Sequence, residues 1–547
     1  MSTAAQLFVK CLENEGVEYI FGIPGEENLY VIDALLDSPI RFITVRHEQG
    51  AAFMADVYGR LTGRPGVCLA TLGPGATNLM TGFADANMDH APIIAIAGQG
   101  STTRMHKESH QVLDLVRLFE PVAKYSIAIL EPENIPEIVR KAFKDIQAEK
   151  PGGGFICFPE NIAAASVDEE IRPLRVQSPT PPLPAQVKVE QAARVISEAR
   201  FPIILAGNGV VRGHAGDALI AFAEKLSIPV ATTFMAKGVI PFFHPLCLGA
   251  IGLHAHDYVA CGFDRADVVI SVGFDMVEYH PGLWHPHGDK KIVHIDRSYA
   301  EVDAKYILEV GVVGDINVSL ERIAELAVRS GDLVAAGSLR ECIVNELRRF
   351  ADDDSYPLKP QRILHDTRQV MGREDILISD VGAHKIWVAR LYSCERPNTC
   401  IISNGFAAMG IGVPGALAAK FVYPERRVLT ITGDAGFMMN SQEIETALRY
   451  NLALVIMIWN DGEYGLIKWH QERFFSRTGY VEFRNPDFVK YAESFGAKGY
   501  RVESAGDLIP TLERAFADNT VVIVDVPVDY SENMKLIKKL DQLVCPT

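Results

Sequence analysis

Two polar residues stand where apolar runs end: Asp434, in Gly433-Asp434-Ala435-Gly436, and Asn460, in Asn460-Asp461-Gly462, 26 residues later. The runs before them, Val428 to Thr432 and Leu454 to Trp459, read as buried strands, and the interval fits one helix of ordinary length. Adjacent strand ends bring a carboxylate, an amide oxygen and a backbone carbonyl to one point. Magnesium favours such a half-shell of hard oxygens and completes its octahedron with phosphates and water. The amides of Ala435 and Gly436 open the next helix and can receive a diphosphate. A generic strand–turn–helix with an aspartate N-cap fits the same letters. A second carboxyl, Glu48 in Arg46-His47-Glu48-Gln49-Gly50-Ala51-Ala52, lies at a strand-to-helix junction with Ile40 to Val45 before it and Ala51 to Met54 after it. By itself it is a helix-start glutamate favoured by the helix dipole.

The elements that must position these groups are legible as short β-branched runs: Val67–Thr71, Pro92–Ala97, Ile203–Ala206, Val268–Val272, Lys291–Ile295 and Val521–Val526, beside the two already named. Amphipathic stretches such as Gln442–Arg449 alternate with them, which predicts an α/β fold of doubly wound parallel sheets. Arg172 to Val187 carries five prolines, and Ala351 to Gln361 is polar and proline-marked; both read as linkers. They delimit three domains, 1–171, 188–350 and 362–547. A strand running into Gly73-Pro74-Gly75, then a helix, then a strand ending at Gly98-Gln99 echoes the Asp434–Asn460 unit. Both place a tight turn at a strand's C-terminal end, where open α/β sheets bind ligands, so the first and third blocks are expected to be similar folds sharing one ligand. Two unrelated strand–helix–strand units would look the same.

Composition narrows the class. The chain has 547 residues, 48% hydrophobic and 22% charged, the profile of a globular protein. No apolar run reaches the length of a membrane span. The N-terminus lacks the basic-then-apolar order of a signal peptide, so a cytoplasmic location is expected. A net charge of −16 argues against nucleic acid as a partner. Nine cysteines, an odd number without Cys-x-x-Cys spacing and mostly in apolar runs, are expected to be buried reduced thiols.

Gly433 to Asn460 resembles the thiamine-diphosphate binding motif, with Ala435 in place of its third-position glycine. The resemblance runs along essentially the whole chain, through Phe21-Gly22-Ile23-Pro24-Gly25, Arg46 to Ala52, Gly73 to Asn78, His110-Gln111, Gly273-Phe274-Asp275, Gly433 to Asn440, Tyr491 to Gly496 and Asp525 to Tyr530. Together these are similar to the acetolactate synthase large-chain group, its flavin-independent catabolic branch in particular. The resemblance implies a carboligase that decarboxylates pyruvate and condenses the remaining unit with a second pyruvate, or a similar 2-oxo acid, to 2-acetolactate. It implies magnesium on Asp434, the side chain of Asn460 and the carbonyl of Gly462. Glu48 would bond the coenzyme's aminopyrimidine, Ala407 would accept from its amine and Met409, in Asn404 to Gly410, would wedge between its rings. Gly382 and His384 would flank the diphosphate beside Ala435 and Gly436. Gln111 would contact the donor region. A homodimer or homotetramer with active sites between subunits is implied as well.

Several positions depart from the pattern. Gly273-Phe274-Asp275 carries an acid where flavin-binding relatives have an arginine nearby, which argues against FAD, although Lys237 in Met235-Ala236-Lys237-Gly238 is of the anabolic kind. Glu26-Glu27 stands where catabolic relatives carry a lysine: it either places a negative charge at the pocket or marks an exposed helix start. Trp469-His470-Gln471 is also distinct; His470 could bind an acceptor carboxylate, serve as an acid or merely pack. Another thiamine-diphosphate-dependent decarboxylase, oxidase or carboligase would share the cofactor but not the outcome. A nicotinamide-dependent oxidoreductase, suggested by Ala206-Gly207-Asn208-Gly209, lacks the full Gly-x-Gly-x-x-Gly with its downstream acid.

Overall fold

The computed structural model describes residues 2–177, 180–252, 258–329 and 334–534. Part of the Arg172–Val187 linker and Cys545 lie outside the described residues. Three six-stranded sheets are present, together with a two-stranded antiparallel pairing of Ser2–Thr3 with Ser166–Val167. The first sheet holds β1 (Tyr19–Gly22), β2 (Arg41–Thr44), β3 (Gly66–Ala70), β4 (Ile93–Gln99), β5 (Tyr125–Ala128) and β6 (Gly153–Pro159). The second holds β7 (Pro202–Ala206), β8 (Val230–Thr232), β9 (Cys247–Ala250), β10 (Val268–Val272), β11 (Lys291–Asp296) and β12 (Leu308–Val313). The third holds β13 (Ile376–Ser379), β14 (Cys400–Ile402), β15 (Val428–Gly433), β16 (Leu454–Asn460), β17 (Lys498–Arg501) and β18 (Val521–Pro527).

The described pairings inside these sheets are parallel, as the strand–helix alternation predicted. Spatial order is β2-β1-β3-β4-β6-β5 in the first sheet and β14-β13-β15-β16-β18-β17 in the third, the same permutation. The second sheet runs β9-β8-β7-β10-β11-β12. The echo read between the first and third blocks is therefore a shared topology, and the middle block differs. Central strands are buried along their whole length, as in β3, β4 and β6, because helices cover both faces; that is why they read as unbroken apolar runs. Edge strands such as β2 and β17 are only partly covered and carry polar residues.

The chain forms two compact units. One comprises Met1–Thr180, Gly405–Glu425 and Gly436–Leu454; the other comprises Pro181–Asn404, Arg426–Ala435 and Val455–Thr547. In the first unit, helix Gly412–Val422, buried along almost its entire length, packs on helix Glu48–Thr62. Rings of Tyr19, Phe21, Tyr58, Phe421 and Tyr450 interlock there in tilted and edge-on pairs. Below them Arg60 pairs with three fully buried aspartates, Asp56 at 2.8 Å, Asp85 at 3.1 Å and Asp89 at 2.7 Å. A buried charge needs such partners to be tolerated.

Seven cysteines (11, 68, 157, 247, 342, 394 and 400) are free thiols, as expected. Cys261 is disulfide-bonded, which corrects the expectation for that residue: burial keeps a thiol from solvent but does not keep it from another sulfur. Among the described residues no helix is long and apolar enough to cross a membrane.

Candidate active site

Glu48 is the first residue of helix Glu48–Thr62 and is only 9% exposed. His47 caps that helix by accepting the N–H of Gln49 at 3.1 Å. The Glu48 carboxylate accepts from Asn78 Nδ2 at 3.0 Å. Gly75 faces it closely enough that a β-carbon there would lie 3.4 Å from Glu48 Oε1 and 2.9 Å from Thr71 Cγ2. The approach to Glu48 is fixed from far along the chain. Glu443, fully buried, accepts the N–H of Arg46 at 3.1 Å and of His47 at 3.0 Å. A side chain at Gly50 would meet Glu443 Oε1 at 2.8 Å, so this close approach requires glycine.

The turn Asn404–Gly410 meets the same unit through its backbone. Gly405 N–H donates to Asp89 Oδ1 at 2.5 Å, and Ala408 N–H to Asp85 Oδ1 at 3.2 Å. Two of the aspartates around Arg60 thus hold the turn that carries Ala407 and Met409. Ala407 adopts φ +57°, a left-handed conformation disfavoured for a residue with a β-carbon. Met409, two residues on, is half-buried. Gln111 likewise has φ +57°, with Gly73 packed so closely that a β-carbon there would lie 3.0 Å from it. Such outliers persist where surrounding contacts over-determine the backbone, and they collect at functional sites. Glu27 is buried and accepts from Thr71 Oγ1 at 2.8 Å, whereas Glu26 is exposed.

In the second unit, Asp434 directly follows β15 and opens helix Asp434–Asn440, and Asn460 ends the adjacent β16; two short helices, Asp434–Asn440 and Glu443–Arg449, fill the interval where one was expected. Asp434 Oδ1 accepts the N–H of Ala435 at 2.9 Å, and Oδ2 accepts the N–H of Gly462 at 2.7 Å. Gly462 needs its φ of +71° to turn back in this way. Asn485 Nδ2 donates both to Asp434 Oδ2, at 2.7 Å, and to Asn460 Oδ1, at 3.0 Å. Burial raises the proton affinity of Asp434; burial and then the neighbouring Asp434 push Asp461 up to about 7. His384, one turn into the segment after β13, is 1% exposed, and its Nε2 has no hydrogen-bond partner. It lies against Gly382 and Gly433: β-carbons there would come within 2.8 Å and 3.5 Å of its ring. Burial lowers the His384 pKa to about 4, so the ring is neutral and can donate or accept. Oxygen ligands, helix-opening amides and an orphaned buried imidazole suit a magnesium–diphosphate head group.

Glu48, Ala407, Met409 and Gln111 thus belong to the first unit, and Gly382, His384, Asp434, Asn460 and Gly462 to the second. His470 is half-buried on helix Gly465–Phe475 with its ring stacked on Phe474, 6.0 Å between centroids. Lys237 is buried and donates to the carbonyl of Ala389 at 2.8 Å. Sequence reasoning gave no role to Asn78, Glu443 or Asn485. Arg484-Asn485-Pro486-Asp487 carries only the signature of a turn, and Glu443 only that of a helix-start acid.

Comparisons with known proteins show the family. Three models of the thiamine pyrophosphate enzyme match: the N-terminal TPP binding domain over residues 2–118, the central domain over 189–323 and the C-terminal TPP binding domain over 380–526. An acetolactate synthase of Bacillus subtilis is 36% identical over 544 residues, covering 97% of this chain and 94% of the relative. A probable acetolactate synthase large subunit of Methanocaldococcus jannaschii is 35% identical, covering 97% and 93%. A catabolic acetolactate synthase of Raoultella terrigena is 34% identical, covering 98% and 97%.

Proposed function

Because the chain belongs to the acetolactate synthase large-chain group of thiamine pyrophosphate enzymes, which act on 2-oxo acids, we propose that it decarboxylates pyruvate and joins the remaining unit to a second pyruvate, or a similar 2-oxo acid, to give 2-acetolactate. The observation that carries this reading is the oxygen cage of Asp434 and Asn460 on adjacent strand ends, with the buried, unpartnered Nε2 of His384 in the same unit. In this reading Asp434, Asn460 and the carbonyl of Gly462 hold magnesium. The amides of Ala435 and Gly436, with Gly382 and His384, receive the diphosphate. Bound thiamine diphosphate supplies the electron sink that lets carbon dioxide leave. Glu48, oriented by Asn78, would hold the proton exchanged with the coenzyme's aminopyrimidine. The carbonyl of Ala407 and the side chain of Met409 would help hold the coenzyme, and Gln111 and His470 would serve the substrates. The domains are 1–171, 188–350 and 362–547, and the active sites form between subunits of a homodimer or homotetramer.

Flavin has no place in this reading. In the second sheet the position where a dinucleotide phosphate meets a helix start lies after β7, at Gly207-Asn208. The carboxylate of Glu278 takes it: both oxygens accept the N–H of Asn208, at 2.9 and 3.0 Å, and Thr233 Oγ1 donates to the same group. A second acid, Asp275, is buried beside it with Arg212 as its partner at 3.1 Å. A buried glutamate side chain on the phosphate position does not suit a flavin dinucleotide.

One observation favours a second reading. Glu27 sets a buried carboxylate beside Thr71, and Gly75 lies against both Thr71 and Glu48. A negative charge there disfavours a carboxylate acceptor and favours a neutral one, as in another carboligase of the same coenzyme. Purified protein given pyruvate, thiamine diphosphate and magnesium without flavin tests both. Acetolactate as the main product supports the first; acetaldehyde, peroxide with acetyl phosphate, or condensation only with an added aldehyde replaces it.

A further inference from the structure

We infer that Asn485 is a positioning residue that fixes the orientation of the two side-chain oxygens of the cation cage; this rests on the magnesium reading above. Asp434 and Asn460 stand on separate strand ends, and nothing intrinsic to either strand aims both oxygens at one point. Asn460 is oriented from one side: its Nδ2 donates to Asp525 Oδ1 at 2.9 Å, and Asp525 Oδ2 accepts from Arg501 Nε at 2.9 Å. A carboxylate only accepts, so the nitrogen of the Asn460 amide faces Asp525 and its oxygen faces Asn485. Asn485 Nδ2 then spans the pair, at 2.7 Å from Asp434 Oδ2 and 3.0 Å from Asn460 Oδ1. Both neighbours are acceptors, so nitrogen rather than oxygen of Asn485 meets them. One amide nitrogen carries two hydrogens and satisfies both. An amide oxygen accepts through two lone pairs, so Asn460 keeps capacity for a cation, and Asp434 keeps it through Oδ1.

The segment that carries Asn485 doubles back over the turn after β16. Tyr464 N–H donates to Val481 O at 2.9 Å, and Phe483 N–H donates to the carbonyl of Gly462 at 3.0 Å. Gln471 clamps the start of this return through two bonds to Gly479, at 3.1 and 2.9 Å. Beyond Pro486, Asp487 caps helix Phe488–Phe495. The return segment therefore touches all three proposed magnesium ligands: Gly462 through the backbone of Phe483, and Asp434 and Asn460 through Asn485. Partners of this kind govern metal affinity nearly as strongly as the ligands themselves.

The test is calorimetric titration of Mg2+ and, separately, Ca2+ into metal-stripped full-length protein saturated with thiamine diphosphate. Asn485→Ala, and Asn485→Leu, which keeps the shape without the donor, should each weaken Mg2+ binding roughly 10- to 100-fold. Ca2+, which tolerates irregular coordination, should lose less. The thermal midpoint of the chelator-treated variants should match that of the parent, which excludes misfolding as the cause. Unchanged Mg2+ affinity, or equal loss for both ions, overturns the role of Asn485. Asp434→Ala separates the two levels: if it abolishes Mg2+ binding while Asn485 variants do not weaken it, only the inference falls; if it too leaves Mg2+ binding intact, the cage itself is misassigned.

Discussion

Glu443 accepts the backbone N–H of His47 at 3.0 Å across a separation of 396 residues, so the start of the helix that presents Glu48 is held by a side chain from the far end of the chain. Both Glu443 oxygens also receive Arg46 N–H, and one receives Thr446 Oγ1 at 2.6 Å. Truncation leaves two backbone donors without their acceptor in a partly buried setting. Glu443→Ala should therefore destabilise the protein by about 2–4 kcal/mol and lower turnover more than Glu443→Gln, which keeps an acceptor. Urea unfolding beside steady-state kinetics checks this, and equal behaviour of the two variants would refute it.

Glu48→Gln should reduce carboligation roughly 100-fold or more, the usual weight of a positioned acid–base group. The amide still packs beside Asn78, so coenzyme affinity should change little. Separate measurement of coenzyme binding and of product formation distinguishes this outcome from simple loss of the site. Activity near the parent level would remove Glu48 from the mechanism.

Asp434→Asn replaces a buried carboxylate, flanked by the N–H groups of Ala435 and Gly462, with a group that cannot carry charge. Retention of thiamine diphosphate through gel filtration should then no longer depend on added magnesium. The expected reading is loss of coenzyme at any magnesium concentration. Coenzyme that remains bound and still leaves on chelation would count against the assignment.

His384 gives a pH signature. Its pKa is lowered from 6.5 to about 4 by burial. The unfolded chain takes up a proton near the ordinary histidine value, whereas the folded ring stays neutral until far lower pH. Between those values the unfolded state binds more protons, so stability falls on acidification, by up to about 3 kcal/mol over the window. In coenzyme-stripped protein, His384→Asn should flatten the slope of unfolding free energy between pH 6.5 and 4. Bound diphosphate favours the protonated ring and should shallow the slope in the parent. A parent and variant with parallel pH profiles would exclude the effect.

Interior strands such as β3, β4, β15 and β16 were legible because helices cover both sheet faces and leave unbroken apolar runs, whereas the interior strands β1, β6, β8 and β13 were not read. Edge strands β2, β5 and β17 were not, since half-covered strands tolerate arginine, tyrosine and lysine and so lose the apolar run. Glu48 was visible as a carboxyl in an apolar context. Asn78, Glu443 and Asn485 were not, because each acts through one hydrogen bond or two to a partner between 25 and 397 residues away, and no local pattern encodes such a pairing. The grouping of Gly405–Glu425 and Gly436–Leu454 with the N-terminal unit was equally hidden, since burial of a helix such as Gly412–Val422 does not say against what.

Ala407 carries a wider lesson about how this turn is kept ready. Glycine would adopt φ +57° without the roughly 1–2 kcal/mol that a β-carbon adds in left-handed backbone. Glycine would also let the loop wander through many more shapes whenever its tethers to Asp85 and Asp89 loosened. The methyl group trades some native stability for a narrower set of alternatives. A ligand meeting the Ala407 carbonyl therefore surrenders little chain freedom on arrival, and its affinity is set by contact rather than by ordering.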